Sequence, residues 1–235
     1  MTARRSCRPF PLRSSIAISI SIVAVIEGIS SSGVVDLRPY FAGLPATVAA
    51  IIVCASGVAA LLILQRRYSF CAIGTNIGAR SLSTAVAAAI PFMAAVTLAD
   101  VGLGFPPNIH VQLPFALAFY PAMGLIAQFA LHIVPFTLLL WAFTQLSTSW
   151  PLRRQIWLAI VLSAAIEAAF QLGGAAAPGD GLTLLSAFVA AQLFAFGLVE
   201  LYLYMRFDFV SMYVFRLAYY SYWHVLLPNV LQSAS

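Results

Sequence analysis

Long apolar runs separated by short polar segments follow one another along almost the whole of this 235-residue sequence. A helix needs about 20 consecutive apolar residues to cross the hydrocarbon core of a bilayer. Seven runs reach that length, at 15–35, 45–65, 81–102, 115–146, 156–176, 182–205 and 210–231. The pattern predicts an all-α fold, a polytopic transmembrane bundle of about seven helices.

Prolines and uneven run lengths modify this regular pattern. Pro91 lies inside the third run and predicts a kink, because proline removes a backbone hydrogen bond. The fourth run, 115–146, is longer than one perpendicular span needs and contains Pro121 and Pro135, which predicts a tilted and disturbed helix. For the first run a cleaved signal peptide is the alternative, since its uninterrupted apolar part, 16–26, is short.

The composition leaves no room for a separate soluble domain. Hydrophobic residues make up 62% of the chain and charged residues only 8%, which is too apolar for a soluble protein of this size. The chain therefore divides into a basic N-terminal tail, 1–14, and a single transmembrane domain, 15–231. The net charge of +5 does not indicate nucleic-acid binding, because the charges are scattered over short loops.

All twelve basic residues are arginine, and they are distributed unevenly over the connecting segments. Four, three, two and one arginines lie in 1–14, in 66–80, in 148–155 and at position 206, whereas the opposite loops carry only Arg38. Positively charged loops tend to stay in the cytoplasm during insertion. This bias predicts a cytoplasmic N-terminus and a C-terminus outside.

The three cysteines do not form the spacing of a metal site. No Cys-x-x-Cys or mixed Cys/His pattern indicates a zinc ribbon or an iron–sulfur cluster. Cys54 lies in an apolar run, whereas Cys7 and Cys71 lie in basic segments that the arginine bias places in the cytoplasm. We therefore expect Cys7 and Cys71 to remain reduced.

Each of the last four spans carries polar residues at helical spacing in an otherwise apolar background. These groups are Gln128 with His132, Glu167 with Gln171, Gln192 with Glu200, and Arg216 with Tyr220 and His224. An ionisable side chain at the bilayer centre costs roughly 2.5–3.5 kcal/mol on insertion scales. Such residues usually face a bundle interior, which predicts that the four stripes pack inward together.

Several of these residues have simpler interpretations. A lone glutamine in a membrane helix more often forms an interhelical hydrogen bond than takes part in catalysis. Glu200 and Arg206 suit an interfacial pair near the cytoplasmic end, and His224 suits an outer aromatic belt beside Trp223. Arg216 can extend toward the cytoplasm or pair with a glutamate. His132 and Glu167 are the strongest catalytic candidates, because both lie deep in their spans beside a same-face polar neighbour.

The segment 155–225 carries a pattern that is similar to that of a known family. It contains Ile166-Glu167-Ala-Ala-Phe170-Gln171, then Phe188-Val-Ala-Ala-Gln192, then Arg216-Leu-Ala-Tyr-Tyr220, and GLVELYLYMRFDFVSMYVF joins the last two. It resembles the CPBP intramembrane proteases, the CAAX-processing and bacteriocin-processing group. That group has Glu-Glu-x-x-x-Arg on one helix, Phe-x-x-x-His on the next and His-x-x-x-Asn on the last.

The resemblance implies a reaction and also shows substitutions in the residues that would perform it. In the family, glutamates and histidines are thought to activate a water for peptide hydrolysis, with or without a metal. Of these, only Glu167 keeps its identity here, and Gln192 and Arg216 replace both histidines. His132 and His224 are possible substitutes, and a zinc site would require both to converge with a carboxylate.

These observations leave two leading functions open. The first is a CPBP-like protein of the bacterial cytoplasmic membrane that is either a divergent peptidase of membrane-protein substrates or a catalytically lapsed relative, and the substitutions favour the lapsed form. The alternative is a non-catalytic subunit of a larger membrane complex, surrounded by lipid. For that subunit, Tyr213, Tyr220 and His224 predict the partner-binding face of the last helix. A transporter is a third reading, without visible inverted repeats.

Overall fold

The computed structural model describes residues 7–41, 43–74, 78–103, 105, 110–146, 149–175 (side chains to 172) and 183–229. Within these ranges the chain is all-α and forms seven helices. They are α1 (Leu12–Ser32), α2 (Ala46–Tyr68), α3 (Ala79–Leu103), α4 (Ala116–Leu146), α5 (Leu152–Ala175), α6 (Leu184–Arg206) and α7 (209–229). The predicted fold class is confirmed.

The helices α1 to α6 are each long and apolar enough to cross a membrane. The protein is therefore an integral membrane protein. The helix α7 has the length of a span but is divided into a regular part, Phe209–Tyr220, and a wider π-helical part, Ser221–Leu226. Helix ends agree with the apolar runs to within a few residues, because connecting segments rich in glycine, proline and arginine end each run.

Two helices widen into π-helical turns next to a proline. In α4 the wide part is Gln128–Ile133, and in α7 it is Ser221–Leu226. Pro135 and Pro228 follow these segments, and a proline cannot donate the hydrogen bond to the carbonyl four residues earlier. A local π turn accommodates such a break and often occurs at functional positions. The predicted disturbance of α4 therefore takes this form, and both wide segments carry a histidine.

The helices α4 and α7 occupy the centre of the bundle. The helix α4 contacts α1, α2, α5 and α7, and α7 also packs along α3 and α6. Close approach depends on small residues, as is common between membrane helices. Gly57 of α2 lies against the ring of Phe129, where a Cβ atom would overlap the ring carbons.

The N-terminal tail is fastened to the segment between α2 and α3. Cys7 and Cys71 form a disulfide with a Cα–Cα distance of 5.2 Å, and the Arg8 N–H donates to the Ile73 carbonyl at 3.3 Å. The expectation that both cysteines remain reduced is therefore wrong in this structure. The α1–α2 hairpin returns the chain to the end where it began, which brings two distant cysteines together. The expectation of reduced cysteines came from the compartment alone, and the sequence does not show that Cys7 and Cys71 lie close together.

Candidate functional site

Four helices each contribute one charged or ionisable side chain to a single buried group. We call this group the charge cluster, and its members are His132 of α4, Glu167 of α5, Glu200 of α6 and Arg216 of α7. Each of these side chains is 0–1% exposed. Placing four such groups in an apolar interior requires that they satisfy one another.

Arg216 is the central member of the charge cluster. Its Nε donates to Glu200 Oε1 at 2.8 Å, and its Nη2 donates to Glu200 Oε2 at 2.7 Å and to Glu167 Oε1 at 3.0 Å. Its Nη1 donates to the Tyr220 hydroxyl at 3.0 Å. The guanidinium also lies 5.3 Å from the ring centroid of Phe196. This two-point contact with Glu200 is the strong form of an arginine–carboxylate pair.

His132 completes the charge cluster from the opposite side. Its Nε2 lies 3.2 Å from Glu167 Oε2 and 3.4 Å from Glu200 Oε2. These are ion-pair distances rather than aligned hydrogen bonds, since Nε2 and Glu167 Oε2 have no partner in hydrogen-bonding orientation within the described part of the chain. Gly197 of α6 makes the approach possible, because a Cβ there would stand 2.9 Å from Nε2.

Gln128 lies beside the charge cluster in the π turn of α4. Its Nε2 donates to Glu200 Oε1 at 3.2 Å and to the Met212 carbonyl at 3.0 Å. Its Oε1 and the Nδ1 of His132 are buried without a hydrogen-bond partner among the described residues. Gln128 thus ties α4 to both α6 and α7.

The formal charges of the cluster do not cancel without a proton. Two carboxylates and one guanidinium leave a net charge of −1, and one proton bound by His132 or shared with a carboxylate brings it to zero. An uncompensated buried charge is strongly destabilising. Formal neutrality of the cluster therefore requires one bound proton.

The charge cluster has enough ligand atoms for a zinc site, but its positively charged arginine is unfavourable for a metal cation. One ligand atom each from His132, Glu167 and Glu200 lies within 4.8 Å of the others, and catalytic zinc sites use three protein ligands. Arg216, however, already donates to three of the four carboxylate oxygens. A dication would stand beside that guanidinium, so these residues do not fit zinc while Arg216 is in place.

Three of the predicted site residues do not join the charge cluster, namely Gln171, Gln192 and His224. Gln171 is exposed at the far end of α5. Gln192 donates to the Tyr219 hydroxyl at 2.8 Å and links α6 to α7 elsewhere. A spacing of eight residues rotates a helix by about 80° and advances about 12 Å, so Gln192 does not share the position of Glu200. The prediction that all four polar stripes pack inward together is therefore correct only in part.

His224 forms a second polar group with His110, away from the charge cluster. The two Nδ1 atoms lie 3.1 Å apart, and the His224 ring stacks on Tyr120 at 4.3 Å. Tyr213 donates to the Pro121 carbonyl at 3.0 Å. The side chains of the predicted partner-binding face, Tyr213, Tyr220 and His224, are half-buried and contact α4 or the loop before it. The expectation that His224 substitutes for a catalytic histidine near Glu167 is also not met.

Sequence reasoning missed the contributions of Gly197 and His110. A glycine inside an apolar helix is a weak signal, and only the structure shows which side chain it admits. His110 lies outside the apolar runs, and contacts between a loop and a distant helix leave no periodic pattern in the sequence.

Comparison with known proteins gives no match among family models, curated proteins or solved structures. The resemblance of 155–225 to the CPBP intramembrane proteases is therefore an expectation from the sequence alone. Of the positions that correspond to the family pattern, Glu167 and Arg216 are in direct contact, and Gln192 is not part of that contact.

Proposed function

We propose that this integral membrane protein is a catalytically lapsed relative of the CPBP intramembrane proteases and acts by binding rather than by hydrolysis. One observation carries the proposal. Arg216, at the position where the family pattern has a histidine, donates to both Glu167 and Glu200. A residue that would help to activate water is thus replaced by one that donates hydrogen bonds to both carboxylates.

The remaining features of the cluster are unfavourable for peptide hydrolysis. A general base needs a carboxylate or imidazole atom within reach of a water beside the substrate. Here Arg216 occupies three carboxylate oxygens, and Glu167 Oε2 faces His132. Two cavities in the described part of the chain, of about 570 and 320 Å³, are lined by no member of the charge cluster. Glu167 is 1% exposed, so a membrane-protein substrate would require the bundle to open before it reached this carboxylate.

The charge cluster has a clear structural role in the proposed function. It joins α4, α5, α6 and α7 at one point inside an apolar bundle, where association otherwise depends on van der Waals packing. Buried polar groups of this kind specify which helices are neighbours. A lapsed enzyme that keeps its fold in this way works through contacts, which includes the role of accessory subunit in a larger membrane complex.

Neutralising the cluster stepwise tests its structural role. Arg216→Met leaves two buried carboxylates without their guanidinium partner, and we expect it to lower the free energy of unfolding by about 3–5 kcal/mol. The triple variant Glu167→Gln/Glu200→Gln/Arg216→Met carries no such charges and should recover most of that loss. Thermal unfolding in detergent measures both. A triple variant as unstable as Arg216→Met would contradict a role based on charge balance.

Comparison of protein N-termini in host membranes tests for lapsed catalysis. Cells that carry the wild-type protein and cells that carry the triple variant at equal amounts should show the same set of N-termini. Peptide ends that depend on Glu167 would contradict the proposal. A Glu167→Gln variant that stays folded but loses such ends would instead establish an enzyme.

A divergent peptidase is the second candidate, and the position of His132 favours it. His132 Nε2 lies within 3.4 Å of both carboxylates, an arrangement that suits proton transfer between acidic groups. This function requires a conformation in which Arg216 moves away from Glu167. The N-terminus comparison separates the two functions, because only the peptidase leaves products.

A further inference from the structure

The helix α1 is buried most deeply from its middle to its C-terminal end. Its buried residues are Ile22, at the midpoint of the helix, and Ile26 and Ile29 beyond it. The half nearer Leu12 stands away from α4 and α7, and a cavity of about 570 Å³ lies between them. We call it the α1 groove, and its walls include Ser15, Ile18, Val25, Ala118, Leu125 and Tyr213.

The α1 groove has the length and lining of a site for an acyl chain. Its walls on α1 extend from Pro11 to Val25, which corresponds to about 21 Å at a rise of about 1.5 Å per residue. Half of the hydrocarbon core of a bilayer is about 15 Å thick. The lining is mostly apolar, so water is a poor occupant. A hydrocarbon chain that enters at the interface fits this space.

The end of the α1 groove at Pro11 carries positive charge. Arg8 and Arg13 are both exposed. The backbone of Arg8 is bonded to Ile73, which lines the groove, and Arg13 precedes Ser14, which also lines it. Within the described part of the chain, neither guanidinium forms a salt bridge with a carboxylate. The Cys7–Cys71 disulfide holds this basic segment beside the opening.

We propose that the α1 groove binds one anionic phospholipid. One acyl chain lies between α1 and α4, and the phosphate group lies against Arg8 and Arg13. Charge complementarity at the mouth selects an anionic headgroup over a zwitterionic one, since exposed basic residues attract anionic lipids at the membrane surface. This site is separate from the charge cluster and does not depend on whether that cluster is catalytic.

Native mass spectrometry tests the site directly. The protein is reconstituted in nanodiscs of equal dioleoyl phosphatidylglycerol and dioleoyl phosphatidylcholine, and the lipid retained on release is counted. We expect one retained phosphatidylglycerol, with a preference of roughly tenfold over phosphatidylcholine. Arg8→Gln/Arg13→Gln should remove the preference but keep a lipid. Arg153→Gln, an exposed arginine outside the groove, is the matched control and should behave as wild type.

Filling the groove tests the acyl-chain part of the proposal. Ala118 and Ala17 both line the groove and are exposed, so tryptophan at either position should displace both lipids without entering the core. Ala17→Trp serves if Ala118→Trp does not fold. Equal retention of the two lipids by wild type would overturn the proposal. Retention of the short-chain dihexanoyl phosphatidylglycerol as strong as that of the dioleoyl lipid would also overturn it, because the groove would then not recognise a long acyl chain. A protein dimer that Ala118→Trp dissociates would overturn it too, because a second copy of the chain would then occupy the groove.

Discussion

Arg216 determines the electrostatic balance inside the bundle, because it is the fully buried cation that two carboxylates share. From sequence, extension toward the cytoplasm and pairing with a glutamate were both open interpretations. The structure shows pairing with two glutamates at once. Position along a helix indicates depth, but it does not indicate which neighbouring helix approaches, and that contact decides the partner.

Gly197 is a position where a single methyl group should disturb the charge cluster. A Cβ at Gly197 would stand 2.9 Å from His132 Nε2 and 3.2 Å from Ala164. We expect Gly197→Ala to destabilise the protein by about 1–3 kcal/mol, the usual cost of overpacking a core. Thermal unfolding in detergent measures the effect.

Gly28 provides the matched control for that substitution. It lies inside α1, and a Cβ there would meet nothing within 4 Å. Gly28→Ala should leave stability unchanged or raise it slightly, since alanine favours a helix over glycine. Equal effects at both positions would show that Gly197 is not needed for the approach of His132.

At the level of helices, the sequence predicts where elements occur better than it predicts how they face one another. Apolar runs locate all seven helices, because a bilayer requires the same length of each. Gln128 and His132 reach one site, since four residues rotate a helix by only about 40°. Gln192 and His224 lie eight residues from Glu200 and Arg216, and the accumulated rotation places them elsewhere. The two π turns also rotate the side chains that follow them around the helix axis, and hydrophobic periodicity does not predict such turns.

The contact between the loop at His110 and the end of α7 should depend on pH. Burial lowers the pKa of His110 below its ordinary value of 6.5, and Asp100 opposes this with a smaller effect. In the folded protein the ring is therefore neutral where the unfolded chain already binds a proton. The contribution of the neutral His110 ring to the free energy of unfolding is complete above about pH 6.5, and it is lost as the pH falls through the pKa of the folded state. Tm should decrease between pH 7 and pH 5.

A His110→Phe variant separates this contact from other effects of acid. It cannot take up a proton, so its Tm should change less over the same pH range than that of the wild type. It also loses the Nδ1 contact with His224, and we expect a lower Tm at pH 7. If the two proteins show parallel pH profiles, His110 does not contribute to the pH dependence.

For the whole molecule, the seven spans that the sequence predicts would place the two termini on opposite sides of the membrane. The arginine distribution predicts that the N-terminus is the cytoplasmic one. A reporter that is active only outside the cytoplasm should work when fused after Ser235 and fail when inserted within 66–80. Activity in the opposite pattern would reverse the orientation, and equal behaviour at both points would require an even number of spans.

The disulfide indicates an oxidising compartment at one end of the bundle, whereas the arginine distribution predicts the reducing cytoplasm at the same end. Cys7 and Cys71 are paired, yet arginine-rich segments are expected in a reducing compartment. A thiol-reactive polyethylene glycol should add once to the denatured, unreduced protein, at Cys54, the free cysteine of the structure, and three times after reduction. Three additions without reduction would show that the pair is open in the cell.

The pairing of Glu200 with Arg216 has a consequence for biogenesis. The two residues lie on α6 and α7, which are joined only by the connector around Asp208, so they emerge from the ribosome almost together. Each alone is costly to transfer into lipid, but a hairpin that enters the bilayer as a unit carries both charges already neutralised. A nascent chain that stops after Arg206 would present Glu167 and Glu200 without their cation. Cells should recognise and degrade such truncated chains faster than the complete protein.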